Sequence, residues 1–336
     1  MVHVSNMSAV GEGRLPDFLL IGAPKAGTTA LHAALDQHPQ LHLARVKEPK
    51  YFLCGDRRPD RSVQQGPGDA HSAQEWVWNR GDYQALFDGA APGQLRGEST
   101  PLYLRDFAAH DRMAEVVPGA KLIVVVRDPV DRAYSNWAHL WSDGLEPEAD
   151  FMRAFHLEQE RIDRGWAPFW RYRELGLYGS QLEHLYSVFP RDQVHVLRYR
   201  ELVDEPVPTL DRICRFLGVD TGLLDLVPSE NVSTFVADTE INRMLATAIR
   251  AGAARGAHLP PRVWRRASVP LLWALKRQHA DRPDLAPSPR AELVATFADD
   301  IALLSRLTGE SYDDWLGYRA GGTYSVRRSR AAAASA

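Results

Sequence analysis

The sequence contains little cysteine and no long apolar segment. Its 336 residues include two cysteines, Cys54 and Cys214, which are too far apart in the chain to form a metal-binding or redox motif. Both are expected to be free thiols, as in a reducing compartment. No stretch approaches the roughly 18 apolar residues of a membrane-spanning helix, and the N-terminus lacks the apolar core of a secretory signal. The sequence therefore predicts a cytoplasmic protein without a transmembrane segment.

A strong charge imbalance and metal-ligand spacing are also missing. The net charge is −3, which gives no reason to expect nucleic acid as a partner. The 12 histidines show no H-x-x-x-H or comparable spacing, so no metal site is predicted. What is present is ordinary for a globular protein: 45% hydrophobic and 25% charged residues, in a chain long enough for a large core. There is no internal repeat, and the oligomeric state cannot be read from the sequence.

The most informative stretch is FLLIGAPKAGTTAL, residues 18–31. The apolar residues 18–21 are typical of a strand that is covered on both faces. Gly22 and Gly27 then enclose a loop that contains Lys25, and Thr28 and Thr29 begin a helix. Free N–H groups at a helix N-terminus, a lysine and two hydroxyls suit an oxyanion, so we expect a phosphate-like ligand here.

This loop departs from the nucleotide-binding Walker A motif, G-x-x-x-x-G-K-[ST]. Gly22 and Gly27 keep the spacing, but Thr28 stands in the lysine position and the lysine lies earlier, at Lys25. A plain strand-turn-helix corner would explain the two glycines. It would not explain a lysine and paired threonines in the same loop, which favour an anion site.

Apolar runs alternate with helix-like segments along most of the chain. This alternation predicts an α/β fold: a single domain with a central, mostly parallel sheet flanked by helices and a helical C-terminal part. Ligands bind beyond the carboxyl ends of such strands, and Lys25, Glu98 and Arg127 are each expected just past one. The predicted strands are residues 18–21, 41–44, 96–104 (ending in a turn), 122–126 and 193–202. The predicted helices are 28–38, 176–189, 291–307 and one that begins near residue 130.

The C-terminal part contains a basic segment. Residues 250–290 carry nine lysines or arginines against two aspartates, with Trp264 and Trp273 among them. A lid over an anionic or glycosidic ligand, a patch on lipid headgroups and a solvated helical surface all fit this composition. Because Pro270 should interrupt a single amphipathic helix, we favour a lid or a surface over membrane insertion. Residues 1–16 are expected to be a flexible leader, 17–319 the domain, and 320–336 a disordered tail.

Two separated motifs in the correct order resemble those of the sulfotransferases that use 3'-phosphoadenosine 5'-phosphosulfate (PAPS), most closely the bacterial and heparan-sulfate-type branch. GAPKAGTT resembles the loop that holds the 5'-phosphosulfate, and VVVRDPVDRAYSNW resembles the 3'-phosphate signature. GLYGSQLEHLYSVFPRDQVHVLRYREL and RFLGV resemble the sequence that follows in these enzymes. The similarity covers residues 17 to about 219.

The resemblance implies a role for each end of the nucleotide site. Lys25 would stabilise charge on the oxygen that leaves with the phosphate, and Ala26, Gly27, Thr28 and Thr29 would hold the 5'-phosphate. Arg127 and Ser135 would bind the 3'-phosphate, since a guanidinium can donate two parallel hydrogen bonds to a phosphate. From the residues alone, an Arg127–Asp128 pair and an ordinary helical serine would be the simpler interpretation.

The resemblance also suggests a general base. GESTPLYL is similar to the E-K-[ST]-P-x-Y segment of the heparan-sulfate-type enzymes, which makes Glu98 the first candidate, although Ser99 replaces the usual lysine. KEPKYF is similar to K-E-P-x-[FY]-F of bacterial members, so Lys47 is a candidate substrate contact and Glu48 an alternative base. His139 is a third candidate.

The function that these resemblances imply is transfer of the sulfuryl group of PAPS to a hydroxyl or amine, with release of adenosine 3',5'-bisphosphate (PAP) and without a metal. The acceptor is expected to be a small molecule, a carbohydrate or a lipid. One alternative is a P-loop kinase with Asp128 as a metal ligand, although no lysine follows Gly27. The other is a nucleotide-binding protein without catalysis.

Overall fold

Five parallel strands form the central sheet of the protein. The computed structural model describes residues 14–59, 66–67, 76–225, 235–256, 261–277 and 279–317. The strands are β1 (Phe18–Gly22), β2 (Leu41–Leu43), β3 (Leu95–Ser99), β4 (Lys121–Val126) and β5 (Val194–Arg198). Their order in the sheet is β2-β3-β1-β4-β5, so β1 lies between β3 and β4. This confirms the predicted α/β fold with a parallel sheet.

Helices connect and flank these strands. They are α1 (Thr28–Leu35), α2 (Tyr51–Cys54), α3 (Arg80–Ala85), α4 (Phe107–Val116), α5 (Pro129–Ser142), α6 (Phe151–His156), α7 (Glu158–Asp163), α8 (Tyr178–Val188), α9 (Tyr199–Asp204), α10 (Pro206–Leu217), α11 (Glu240–Gly256), α12 (Pro261–Lys276), α13 (Pro287–Thr308) and α14 (Asp313–Leu316). Short 3-10 helices cover Pro101–Arg105, Pro168–Trp170, Glu174–Gly176 and Arg191–Gln193. Strands β6 (Phe235–Val236) and β7 (His279–Ala280) form a separate antiparallel pair.

The core is built on the two central strands. Every residue of β1 is buried, as is every residue of β4 after Lys121, which is why both read as continuous apolar runs. Gly97 of β3 lets the Phe18 ring lie directly on the backbone of β3, since a Cβ there would lie 2.1 Å from that ring. The central strands are thereby fixed, and their carboxyl ends form a common edge.

Three predicted elements are shorter than expected. The strand predicted over 96–104 ends at Ser99, because Pro101 lacks the N–H that a strand would donate and begins a 3-10 helix instead. The strand predicted over 193–202 ends at Arg198, whose N–H donates to the Glu201 carboxylate at 2.9 Å and so starts α9. The first helix ends at Leu35, three residues before His38.

The C-terminal part is helical, as predicted, but the expected effect of Pro270 is wrong. Helix α12 continues through this proline from Pro261 to Lys276. The loss of one backbone hydrogen bond at Pro270 is therefore tolerated within a single helix. The predicted flexible leader falls mainly, and the disordered tail wholly, outside the described residues, and the domain limits of 17 and 319 stay predictions. Among the described helices, none is long and apolar enough to cross a membrane.

Candidate active site

The loop after β1 and the first residue after β4 meet at the carboxyl edge of the sheet. Arg127 follows β4 directly, and its Nη1 donates to the carbonyl oxygen of Lys25 at 3.1 Å. Since β1 and β4 are neighbours, their ends bring together two motifs that are about a hundred residues apart in the sequence. The predicted convergence of Lys25 and Arg127 at one edge is confirmed.

The loop itself is closely fitted to its surroundings. Lys25 and Gly27 both have left-handed backbone angles, with φ of 67° and 88°. A Cβ on Gly27 would lie 2.8 Å from the ring of Tyr199, so a side chain has no room there. Gly27 also precedes the first turn of α1, where no side chain caps the backbone N–H groups, while Ala26 and Thr28 are buried. These N–H groups form a cradle for an anion.

Lys25 is a partly buried cation without a neutralising contact. Among the described residues it makes no ion pair and no side-chain hydrogen bond. Burial lowers its pKa to about 8. The carboxylate of Asp143 opposes this shift, and the cations of Arg127, Lys47 and Arg132 add to it. Several positive charges therefore surround one side chain, which favours an anionic ligand.

Arg127 is also left without an acidic partner in the described part of the chain. Its guanidinium lies 4.8 Å from the centre of the Tyr199 ring. The adjacent Asp128 does not pair with it; its carboxylate accepts from the N–H groups of Val130 and Asp131 at 2.9 and 3.2 Å and pairs with Arg290. The simpler interpretation of an Arg127–Asp128 pair is therefore wrong.

Helix α5 adds two further groups beside this edge. The hydroxyl of Ser135 is half-buried and makes no hydrogen bond to any described residue. Arg132, one turn earlier, is fully buried. Its Nη1 donates to Asn136 at 3.0 Å and its Nη2 to the Tyr172 carbonyl at 2.5 Å, while its Nε has no hydrogen-bond partner among the described residues. We did not predict a role for Arg132, although its spacing of three residues from Ser135 on a helix was a usable signal.

Lys47 and Glu48 lie against the same loop. The Nζ of Lys47 donates to Thr29 Oγ1 at 3.0 Å and to Glu48 Oε1 at 2.9 Å, and both side chains are 28% exposed. The Glu48 N–H donates to the Ser99 carbonyl at 2.9 Å, and Glu48 has a left-handed φ of 61°. A non-glycine residue held in this conformation is typical of functional sites. The structure thus joins this segment to the first turn of α1, directly after the loop that contains Lys25.

Glu98 lies inside β3, opposite Leu19, and not beyond the strand end as expected. Its side chain is 0% exposed, and its carboxylate accepts hydrogen bonds from Tyr83 at 3.2 Å and Thr100 at 2.9 Å. Burial raises its pKa to about 7, against the effect of these hydrogen bonds. The hydroxyl oxygen of the next residue, Ser99, lies 2.8 Å from His32 Nδ1.

His139 lies near the other end of α5. Its Nε2 is 3.8 Å from the carboxylate of Asp143, which also pairs with Lys276 of α12 at 2.7 Å. This places the imidazole beside a carboxylate whose charge raises the pKa of Lys25. Within the described ranges, no three His, Cys, Asp or Glu side chains are grouped so that they could hold a metal ion.

The fold and these motifs agree with a known family. The model of the sulfotransferase family matches residues 16–222, and the chain belongs to this family. The solved structure of a sulfotransferase from Alicyclobacillus acidocaldarius superposes with a TM-score of 0.70, at 28% identity, over 90% of this chain and 99% of that one. The family predicted from the sequence is confirmed.

The curated relatives are larger proteins. Human heparan sulfate glucosamine 3-O-sulfotransferase 3B1 is 30% identical over 222 residues, which cover 66% of this chain and 50% of that protein. Mouse bifunctional heparan sulfate N-deacetylase/N-sulfotransferase 4 is 31% identical over 217 residues, which cover 61% of this chain and 22% of that protein. The chain thus spans about half the length of the first of these relatives and less of the second.

Proposed function

We propose that this chain transfers the sulfuryl group of PAPS to a hydroxyl or amine of an acceptor and releases PAP. The observation that carries the proposal is the set of unneutralised cations at the carboxyl edge of the sheet. Lys25 makes no ion pair with a described residue, and Arg127 makes no contact with a described carboxylate. Together with the N–H groups at the start of α1 and the hydroxyl of Ser135, they suit a ligand with phosphate at both ends.

Lys25 is placed to act on the departing group. As the acceptor oxygen or nitrogen attacks sulfur, the bond from sulfur to the phosphate oxygen breaks and negative charge collects on that oxygen. A fixed cation near this oxygen stabilises the charge. Arg127 and Ser135 would hold the 3'-phosphate, and Ala26, Gly27, Thr28 and Thr29 the 5'-phosphate.

We favour metal-free transfer over the kinase alternative. A kinase would use Asp128 as a metal ligand after β4. In this protein the Asp128 carboxylate is committed to the first turn of α5 and to Arg290. A sulfuryl group also carries less negative charge than a phosphoryl group, so Lys25 and backbone N–H donors can take the place of a metal.

Among the three base candidates we favour Glu48. A base must reach the proton of the acceptor within hydrogen-bond distance. The Glu48 side chain is 28% exposed and touches Lys47, which contacts the phosphate loop, whereas Glu98 has no exposed surface. Glu98 would act as a positioning residue, because Thr100 joins its carboxylate to the backbone N–H of Lys50 in the segment that carries Glu48.

For the acceptor we favour a carbohydrate over the other small molecules and lipids that the sequence left open. The curated relatives are named for sulfation of glucosamine in heparan sulfate. Their similarity covers about two thirds of this chain, 66% and 65%, and the family match over residues 16–222 includes Lys25, Glu48 and Arg127. The acceptor, the choice between hydroxyl and amine, and the cytoplasmic location stay predictions.

The decisive experiment follows ³⁵S from labelled PAPS to a panel of heparan fragments, other oligosaccharides and small alcohols, and measures PAP release in parallel. Lys25→Ala should lower turnover on the order of 10²–10³-fold, while the control Arg164→Ala, on a 60% exposed surface pair, should not. Turnover that EDTA abolishes and Mg²⁺ restores would support the kinase instead. If PAP raises the melting temperature but no acceptor releases PAP from PAPS, the protein only binds nucleotide.

The base is assigned by a pair of isosteric variants. Glu48→Gln should bind PAP as the wild type does and lose turnover, because the amide cannot accept the acceptor proton. Glu98→Gln should keep most turnover. The reverse result would make Glu98 the base. Normal turnover in both variants would leave His139 as the remaining candidate for the base.

A further inference from the structure

Exposed large apolar side chains are concentrated on two helices that pack together, α11 and α12, called here the helical pair. Four of the nine exposed large apolar side chains among the described residues lie on these two helices: Ile241 (59%), Met244 (74%), Val269 (60%) and Trp273 (62%). The members of each pair are three or four residues apart, so they share a face of their helix. Isolated exposed apolar residues need no explanation, but a concentration on one small unit does.

The opposite side of the helical pair is already packed. Ile249 and Leu275 are buried against Gly144, where a Cβ would lie 3.1 and 3.2 Å from them. Arg250 Nη1 donates to the Gly144 carbonyl at 3.1 Å, and Lys276 pairs with Asp143 at 2.7 Å. The helical pair is thus fixed to the end of α5, and the exposed apolar residues belong to a second, outer surface.

The charge of the helical pair differs sharply from that of the rest of the chain. Residues 240–277 contain eight arginines or lysines and one glutamate, a net charge of +7. The other 32 basic and 42 acidic residues of the sequence give −10, which accounts for the total of −3. At the outer surface the guanidinium of Arg277 lies 4.7 Å from the Trp273 ring, so an aromatic and a cation form one exposed unit.

We propose that this outer surface binds the headgroup region of an anionic lipid membrane. Helices that lie on membranes combine exposed Trp and aliphatic side chains with arginine and lysine, so that apolar groups enter the acyl boundary while cations contact anionic headgroups. A second copy of the chain fits less well in a symmetric contact, because it would bring together two segments that each have a net sequence charge of +7. Bound in this way, the surface would hold the end of α5, with His139 and Asp143, close to the lipid.

The test is co-sedimentation of the full chain with vesicles of phosphatidylcholine alone and of phosphatidylcholine with phosphatidylglycerol. We expect binding to the anionic vesicles that is at least ~10-fold tighter and weakens with salt. Val269→Ser/Trp273→Ser should remove most of it, whereas the matched pair Val203→Ser/Leu223→Ser, which changes exposed apolar residues elsewhere, should not. Arg277→Gln should weaken binding on the order of fivefold, and Arg164→Gln should leave it unchanged.

A second measurement reports insertion directly and does not depend on the double variant folding. Brominated lipid in the anionic vesicles should quench tryptophan fluorescence of the wild type, and less so in Trp273→Phe. Equal binding to both vesicle types, no quenching, or full binding by a folded Val269→Ser/Trp273→Ser variant would each overturn the proposal. Dimerisation that this variant abolishes, without vesicle binding by the wild type, would make the surface an interface between copies.

Discussion

The buried carboxyl group of Glu98 makes the stability of the fold depend on pH. Its pKa rises from 4.5 to about 7 because the side chain is enclosed. A carboxyl group with a raised pKa in the folded state contributes stability below its unfolded pKa, and loses that contribution as the pH rises through the folded pKa. The fold should therefore become less stable between pH 4.5 and about 7.

The size of this effect follows from the same two values. A pKa shift of one unit corresponds to about 1.4 kcal/mol. The shift from 4.5 to about 7 therefore means that ionising Glu98 in the folded protein costs about 3 kcal/mol. Glu98 is 0% exposed, so solvent screening does not reduce this figure much. In Glu98→Gln the amide resembles the protonated acid and still offers a carbonyl oxygen to Tyr83 or Thr100. The variant should lack this pH-dependent loss.

Urea unfolding at pH 5, 6, 7 and 8 tests this prediction. The wild type should lose about 2.5 kcal/mol more than Glu98→Gln between pH 5 and pH 8, since the loss begins near pH 4.5. Glu115→Gln, which changes an exposed glutamate on α4, should follow the wild type. If the free energy of unfolding falls equally with pH in the wild type and in Glu98→Gln, the Glu98 carboxyl group is not buried in its protonated form. The argument for its positioning role then fails.

Three further predictions concern the loop and the core. The pKa of Lys25 near 8 in the free protein predicts that kcat/KM falls as the pH rises past about 8, and that Lys25→Arg moves this limb of the pH–rate profile upward. Gly27→Ala should weaken PAP binding in calorimetry and lower the melting temperature, whereas Gly93→Ala, with the same kind of φ (87°) but nothing within 4 Å, should affect only the melting temperature. Arg161→Leu should destabilise the protein by about 3–5 kcal/mol in urea, because it leaves the buried carboxylate of Glu146 without its 2.7 Å partner.

The sequence predicted the centre of the fold better than its borders. Strands β1 and β4 are buried on both faces, so their continuous apolar runs could be interpreted correctly as central strands of a sheet. The stretch after β3 is equally apolar, and Leu102, Tyr103 and Leu104 are buried as strand residues would be, but they lie on a 3-10 helix. Burial alone does not distinguish these two structures, and Pro101 was the signal that a strand had ended.

The same limit applies to the site. Spacing placed Lys25 and Arg127 at one edge because each follows an apolar strand. It gave no sign that Tyr199, far along the chain, would lie against both Gly27 and Arg127. Such contacts depend on the order of strands in the sheet, which no local pattern specifies.

The general base shows most clearly what the sequence lacks. Glu48 and Glu98 both stand in motif-like segments, and resemblance alone ranked Glu98 first. The backbone N–H of Glu48 donates to the carbonyl of Ser99, the residue after Glu98, so the two segments are in contact and position along the chain cannot separate them. Only the direction of the two side chains separates them. The Glu98 side chain lies in a buried pocket with Tyr83 and Thr100, whereas the Glu48 side chain contacts the partly exposed Lys47. A carboxylate without access to solvent has no access to an acceptor, and for this reason Glu48 is the residue whose amide variant should stop turnover.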